Sequence, residues 1–266
     1  MEKTKEILDK NSIEEPVAEE VVLTPSDEVR LKSMMENGLF YGLTKARTNP
    51  KMKPFIASAK AGVQIIDLLK TMEMLDKSVK FIKDKIKAGG LVLFVGVTPA
   101  SKGIVKSTAE KLGMPYITER WLGGTLTNFK TISERINYMK RLKADKESGA
   151  LEKYTKKERL ELDRELVRLI KFFGGIELLE KLPSAVVIFD LKNSEIAANE
   201  ARRMNIPAVA FLNTNANPDL ADYPVPMNDK NIKSIEFIMS VIETAVVEAK
   251  KEKLAIEAAT SVIVNK

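Results

Sequence analysis

The 266-residue sequence contains neither cysteine nor histidine. Without thiols there are no disulfides and no thiolate metal sites, and without imidazoles the usual zinc sites and histidine acid–base catalysis are excluded as well. Mechanisms run on carboxylates, lysines or magnesium survive that exclusion. No run approaches the roughly 18 to 20 apolar residues of a membrane helix, and residues 1–20 lack the basic-then-apolar pattern of a signal peptide. A soluble, cytoplasmic protein without a membrane partner is expected. Aromatic residues are sparse at 6%, with one tryptophan, Trp121. Acid is missing from one place: residues 37–66 contain none.

What is present is a basic body. The net charge is +6, but residues 1–20 hold three lysines against seven acids, a net of −4, which leaves +10 on residues 21–266. A basic protein most often meets a polyanion, because neutralising phosphates releases condensed counterions. A basic but otherwise ordinary enzyme is the alternative on charge alone.

Residues 1–23 are charged, poor in aromatics and aperiodic, and read as a disordered acidic tail. Order is expected from Thr24, where Thr24-Pro25-Ser26-Asp27 offers an N-cap, a proline at the first helical position and an acid at the third; Asn37-Gly38 closes that helix. Short apolar runs then alternate with amphipathic stretches. Val63–Ile66 precedes a helix to about Lys87, Leu91–Val97 precedes one to about Leu112, and Pro115–Ile117 follows. Ala185–Phe189 precedes Ser194–Met204, and Ala208–Leu212 follows. Continuous apolar runs interleaved with helices predict a parallel, doubly wound α/β sheet covered on both faces. A last helix is predicted over about 231–259, leaving a C-terminal tail at 260–266.

Residues 127–173 break that rhythm. Phe129, Ile132, Ile136 and Met139 form one helical stripe; Leu162, Leu166, Leu169 and Phe173 form another, opened by the capping box Thr155-Lys156-Lys157-Glu158. Narrow apolar seams with charge elsewhere predict an antiparallel helical hairpin, a coiled coil inserted into a discontinuous α/β domain of residues 24–126 and 174–259. Lys130 to Lys171 carries thirteen basic and eight acidic residues. Such an arm serves as solvated scaffolding or as a contact for RNA or protein.

Four segments are candidates for chemistry. The acid-free stretch presents Lys45, Arg47, Lys51 and Lys53 within nine residues, beside Asn49, two prolines and aromatics. It reads as an irregular loop suited to clamping phosphate, against the plainer reading of a solvated basic loop. Arg120-Trp121 precedes Gly123-Gly124 at the base of the arm; these side chains either meet RNA or wedge the junction. Gly96 to Gly103 follows a buried strand but matches neither the dinucleotide nor the P-loop fingerprint. Asn213 to Asp219 lies at the expected carboxyl edge of the sheet, where α/β enzymes hold ligands, yet no convergent carboxylate pair is visible beside it, so it reads as a connector.

The order of these motifs resembles the ribosomal protein S2 family in its bacterial form. The resemblance covers roughly residues 36–250: Thr48-Asn49-Pro50-Lys51-Met52-Lys53-Pro54-Phe55-Ile56, Ile65-Ile66-Asp67-Leu68, Phe94-Val95-Gly96, Arg120-Trp121-Leu122-Gly123-Gly124-Thr125-Leu126-Thr127-Asn128-Phe129, Phe173-Gly174-Gly175-Ile176, Asn213-Thr214-Asn215 and Pro218-Asp219. It implies a flavodoxin-like sheet domain with an inserted coiled-coil hairpin, residence in the small ribosomal subunit between head and body, and late joining in assembly. It further implies contact with 16S rRNA and neighbouring small-subunit proteins, help in recruiting ribosomal protein S1, and neither catalytic residues, cofactor nor small-molecule substrate. Carried over by position, the RNA-facing candidates are Lys45, Arg47, Asn49, Lys51, Lys53, Arg120 and Trp121, with Lys130, Lys140 and Arg141 on the arm. Two departures stand out. Where members read G-V-H-F-G-H, this chain has Gly38-Leu39-Phe40-Tyr41-Gly42-Leu43, so no imidazole zinc site carries over. Thr48 replaces the tryptophan of the family's W-N-P-K-M, removing one aromatic contact.

Overall fold

A computed structural model describes residues 24–264; the acidic segment 1–23 lies outside the described residues. Five parallel strands form the main sheet: β4 (Val92–Gly96), β5 (Tyr116–Ile117), β6 (Ala185–Phe189), β7 (Ala208–Leu212) and β8 (Tyr223–Pro226), in the order β5-β4-β6-β7-β8. Counting only these five along the chain, the order is 2-1-3-4-5, that of the flavodoxin-like doubly wound sheet. Every residue of β4, β6 and β7 is buried, as their unbroken apolar runs require.

Alternate side chains go to opposite faces. Phe94, Phe189 and Phe211 pack under α2 (Leu68–Lys87), α3 (Pro99–Lys111) and α7 (Ile232–Val264), through Leu75, Val105, Ile238 and Ile242. Val95, Ile188 and Leu212 face α6 (Glu195–Arg203) and the apolar seams of α4 (Phe129–Glu147) and α5 (Lys156–Phe173). Helix α7 runs past its expected end at residue 259. Helix α1 (Pro25–Glu36) opens with the expected capping box at Thr24, and α5 opens with that at Thr155. α4 and α5 lie against each other, with Tyr138 donating to Glu165 at 3.1 Å and Lys146 paired to Asp163 at 2.8 Å.

Two expectations need correction. Val63–Ile66 does not join the parallel sheet. It is β3, the centre of a separate antiparallel sheet between β1 (Tyr41–Thr44) and β2 (Ile56–Lys60). The acid-free stretch is therefore three strands, with two 3-10 turns between the first and second, rather than wholly irregular. A two-residue hairpin joins β2 to β3, with Ala61 at φ 49° and Gly62 at φ 79°; positive φ at both positions matches the twist of paired strands. Strand β8 is not foreseen by the sequence pattern, because Pro224 and Pro226 read as turn residues; proline is tolerated on an edge strand, which β8 is.

Candidate nucleic-acid interface

The basic loop is built on two 3-10 turns, Lys45–Arg47 and Pro50–Phe55. Asn49 starts the second: its side-chain oxygen accepts from Lys51 N at 3.0 Å, and Pro50 fits the first helical position. Met52 turns inward and is wholly buried, which leaves Lys51 and Lys53 on either side of it in solvent. Lys45 and Arg47 are also exposed. Lys51 pairs with Asp219, whereas Lys45, Arg47 and Lys53 have no ion-pair partner among the described residues.

What fixes this loop is the carboxyl end of β7. Asn49 N donates to Thr214 O at 2.8 Å, and Leu43 N donates to the Thr214 hydroxyl at 3.0 Å. Gly42 sits so close that a Cβ there would lie 2.7 Å from Thr214 Cγ2. The segment 213–219, expected to be a mere connector, is therefore the anchor of the cationic loop: Thr214 holds its backbone and Asp219 holds Lys51.

At the junction, Arg120 is exposed but Trp121 is only 6% exposed. Of the two roles open to Trp121, its burial fits the wedge. Its indole Nε1 donates to Glu200 on α6 at 3.1 Å, and the same carboxylate accepts from Gly124 N (2.8 Å), Leu126 N (3.0 Å), Thr127 N (3.2 Å) and the Thr127 hydroxyl (3.2 Å). Burial pushes the Glu200 carboxyl up, but these donors outweigh it and hold the group below the usual carboxylate range. Gly124, at φ 89°, supplies the backbone angle that folds the loop round the carboxylate. Sequence reasoning misses Glu200, since a glutamate on a charged helix reads as solvated. Lys130, Lys140 and Arg141 are exposed on α4. No hydrogen bond or ion pair joins them to the basic loop among the described residues.

A carboxylate pair does converge at the sheet's carboxyl edge, contrary to expectation. Asp190, after β6, and Asp229, after β8, are 0% and 2% exposed. Lys230 Nζ bonds Asp190 and lies 3.8 Å from Asp229 Oδ2, while Asn213 donates to Asp229 at 3.1 Å. Burial, and next the Asp190 charge, push Asp229 up to about 6. Asp190 sits at φ 62° and accepts from Asn193 through both backbone (3.2 Å) and side chain (2.6 Å). Lys230 balances one of the two carboxylates, and the cluster links the ends of β6, β7 and β8. The residues do not suit a metal: no cluster of three or more acidic ligands occurs among the described residues, and an ammonium already occupies this one. At the end of β4, Gly96 approaches α3 closely: a Cβ would lie 2.6 Å from Val105 Cγ2.

Residues 34–249 match the family model for ribosomal protein S2. The chain belongs to the ribosomal protein S2 family. It is similar to the small ribosomal subunit protein uS2 of Rhodococcus erythropolis, 43% identical over 230 residues that make up 86% of this chain and 81% of that protein. The protein of the same name from Coprothermobacter proteolyticus is 42% identical over 228 residues, 86% of this chain and 85% of its own length. That from Thermus thermophilus is 42% identical over 223 residues, 84% of this chain and 87% of its own length. As an S2-family member the chain is a structural ribosomal protein and not an enzyme. No helix among the described residues is long and apolar enough to cross a membrane.

Proposed function

We propose that this S2-family chain is a structural constituent of the small ribosomal subunit in the cytoplasm, binding 16S rRNA and neighbouring small-subunit proteins, bridging head and body and supporting recruitment of ribosomal protein S1. The observation that carries the RNA contact is the acid-free loop. Lys45, Arg47 and Lys53 stand exposed without anions of their own among the described residues, on a backbone pinned to Thr214. Preorganised cations of this kind position a protein on phosphates. Lys51 and Asn49 complete the loop, the first as a further cation and the second by setting the turn.

Residues 127–173 act in this reading as an inserted antiparallel coiled-coil hairpin that interrupts one α/β domain of residues 24–126 and 174–259. The paired Tyr138–Glu165 and Lys146–Asp163 contacts support it. Arg120, Lys130, Lys140 and Arg141 extend the cationic surface along the arm; Trp121 contributes by holding its base.

Sedimentation of cell lysate through a sucrose gradient after a high-salt wash tests the assignment. Near-stoichiometric presence of the chain in small-subunit and full-ribosome fractions is the expected result. A chain found mainly at the top of the gradient would instead support a free-standing rRNA-binding assembly factor.

A further inference from the structure

A cleft of about 480 Å³ opens at the base of the arm, with walls drawn from three separate segments: Arg120 from the loop after β5, Arg135 from α4 and Arg168 from α5. All three arginines are exposed, and none has an ion-pair partner among the described residues. The nearby acids are already engaged. Glu119 is held by Lys102 and by Lys171 at 3.7 Å, and Glu165, the one carboxylate lining the cleft, accepts from Tyr138. Glu165 offsets one of the three positive charges that line the cleft, which leaves an excess of two for an incoming anion to balance. The floor is of another kind: Leu169 and the half-buried ring of Phe172.

Guanidinium forks fit phosphate oxygens two at a time, and their planes, like a phenyl ring, stack on nucleobases. A lone phosphate has no use for an apolar floor, and a paired helix cannot put a base into a cleft. We propose that this cleft takes one unstacked nucleotide of single-stranded RNA, its phosphate held by Arg120, Arg135 and Arg168 and its base laid against Phe172. This rests on the RNA-binding reading above and names the form of RNA that the base of the arm selects.

The test uses the full chain and two labelled probes, hexauridylate and a blunt-ended RNA duplex, with binding followed by fluorescence anisotropy. Arg135→Ala with Arg168→Ala is expected to weaken hexauridylate binding about ten-fold or more, and Phe172→Leu to weaken it about five-fold or more. Phe172→Leu should leave duplex affinity within about two-fold, and the arginine pair should lower it less than it lowers hexauridylate affinity, because a paired backbone meets those arginines only as surface charge. Substituting alanine for Lys45, Arg47 and Lys53 should weaken both probes together. Unchanged melting temperature and Trp121 emission establish that each variant is folded; if the arginine pair fails that control, Phe172→Leu carries the test. Equal losses on both probes, or no effect of Phe172→Leu, would overturn the cleft while leaving general RNA binding intact. Displacement of hexauridylate by hexaglutamate at equal concentration would overturn it in favour of an acidic protein segment. Wild-type chain that binds neither probe would overturn the RNA reading itself.

Discussion

The indole of Trp121 donates to the carboxylate of Glu200 across 3.1 Å, joining the entrance of the arm to α6 on the face of the sheet. Four further bonds from Gly124, Leu126 and Thr127 converge on that carboxylate. The loop 121–127 is thus held to α6 by one buried carboxylate.

Glu200→Gln should therefore be severe. An amide keeps one acceptor but aims its NH2 group at N–H donors, stranding some of them in a buried site. A loss of about 3 kcal/mol is expected, with a red shift of the single tryptophan's emission as water reaches the indole. Because the folded-state value of Glu200 is depressed, its contribution is present above the unfolded value of 4.5 and is lost as pH falls through the folded value. Thermal melts with fluorescence detection at neutral and acid pH check both; an unshifted emission in the variant would mean the loop stands without Glu200.

Asp229→Asn should behave oppositely. The folded carboxyl titrates near 6 against an ordinary 3.8, so between those values the native state holds more protons than the unfolded chain and stability declines as pH rises. Asparagine stays neutral, so the variant should lose that decline and, at pH 7.5, match or exceed wild type by something on the order of 1 kcal/mol. Melts across the window measure the slope directly, and an unaltered slope would assign the proton to another group. Lys230→Met, which leaves Asp190 buried with its countercharge gone, should cost about 3 kcal/mol or more.

Reversing Lys45, Arg47, Lys51 and Lys53 to glutamate should weaken association with 16S rRNA and flatten the plot of log affinity against log salt by about three. The value falls below the four cations changed because Lys51 is already shared with Asp219. Filter binding over a potassium chloride series gives the slope; a slope equal to wild type would remove the loop from the interface.

Gly175→Ala probes the return of the arm. A Cβ there would lie 2.3 Å from the Tyr116 carbonyl oxygen, where neither backbone can give way cheaply. Destabilisation of about 2 kcal/mol or more is expected by chemical denaturation. An alanine variant as stable as wild type would mean that 174–176 can move away from β5.

Much of the architecture is visible in the sequence because it is written locally. The runs at 92–96, 185–189 and 208–212 are short, rich in β-branched and aromatic residues and flanked by turn signals, which marks them as doubly covered strands, and the capping boxes at Thr24 and Thr155 mark helix starts within a few residues. The basic loop declares itself by missing acids. Other features depend on tertiary placement and leave no local trace. Glu200 is one glutamate among many until the loop 121–127 closes round it. Asp190, Asp229 and Lys230 meet only because parallel strands end at one edge. Val63–Ile66 has the composition of a core strand but no neighbour in the main sheet, and its register depends on a hairpin whose first residue is alanine.

One side of β8 pairs with no strand, and at its end the Pro226 carbonyl accepts from the Thr71 hydroxyl of α2 at 2.8 Å. Met227 N, at its end, donates to Leu212 O across 2.9 Å, so the alternating positions 224 and 226 turn their nitrogens outward, and both are proline. The sheet therefore ends in a border with no amide hydrogens to offer at those positions, one that a second chain cannot easily zip onto. The chain is thereby protected from meeting its own copies through this edge as soon as the strand forms.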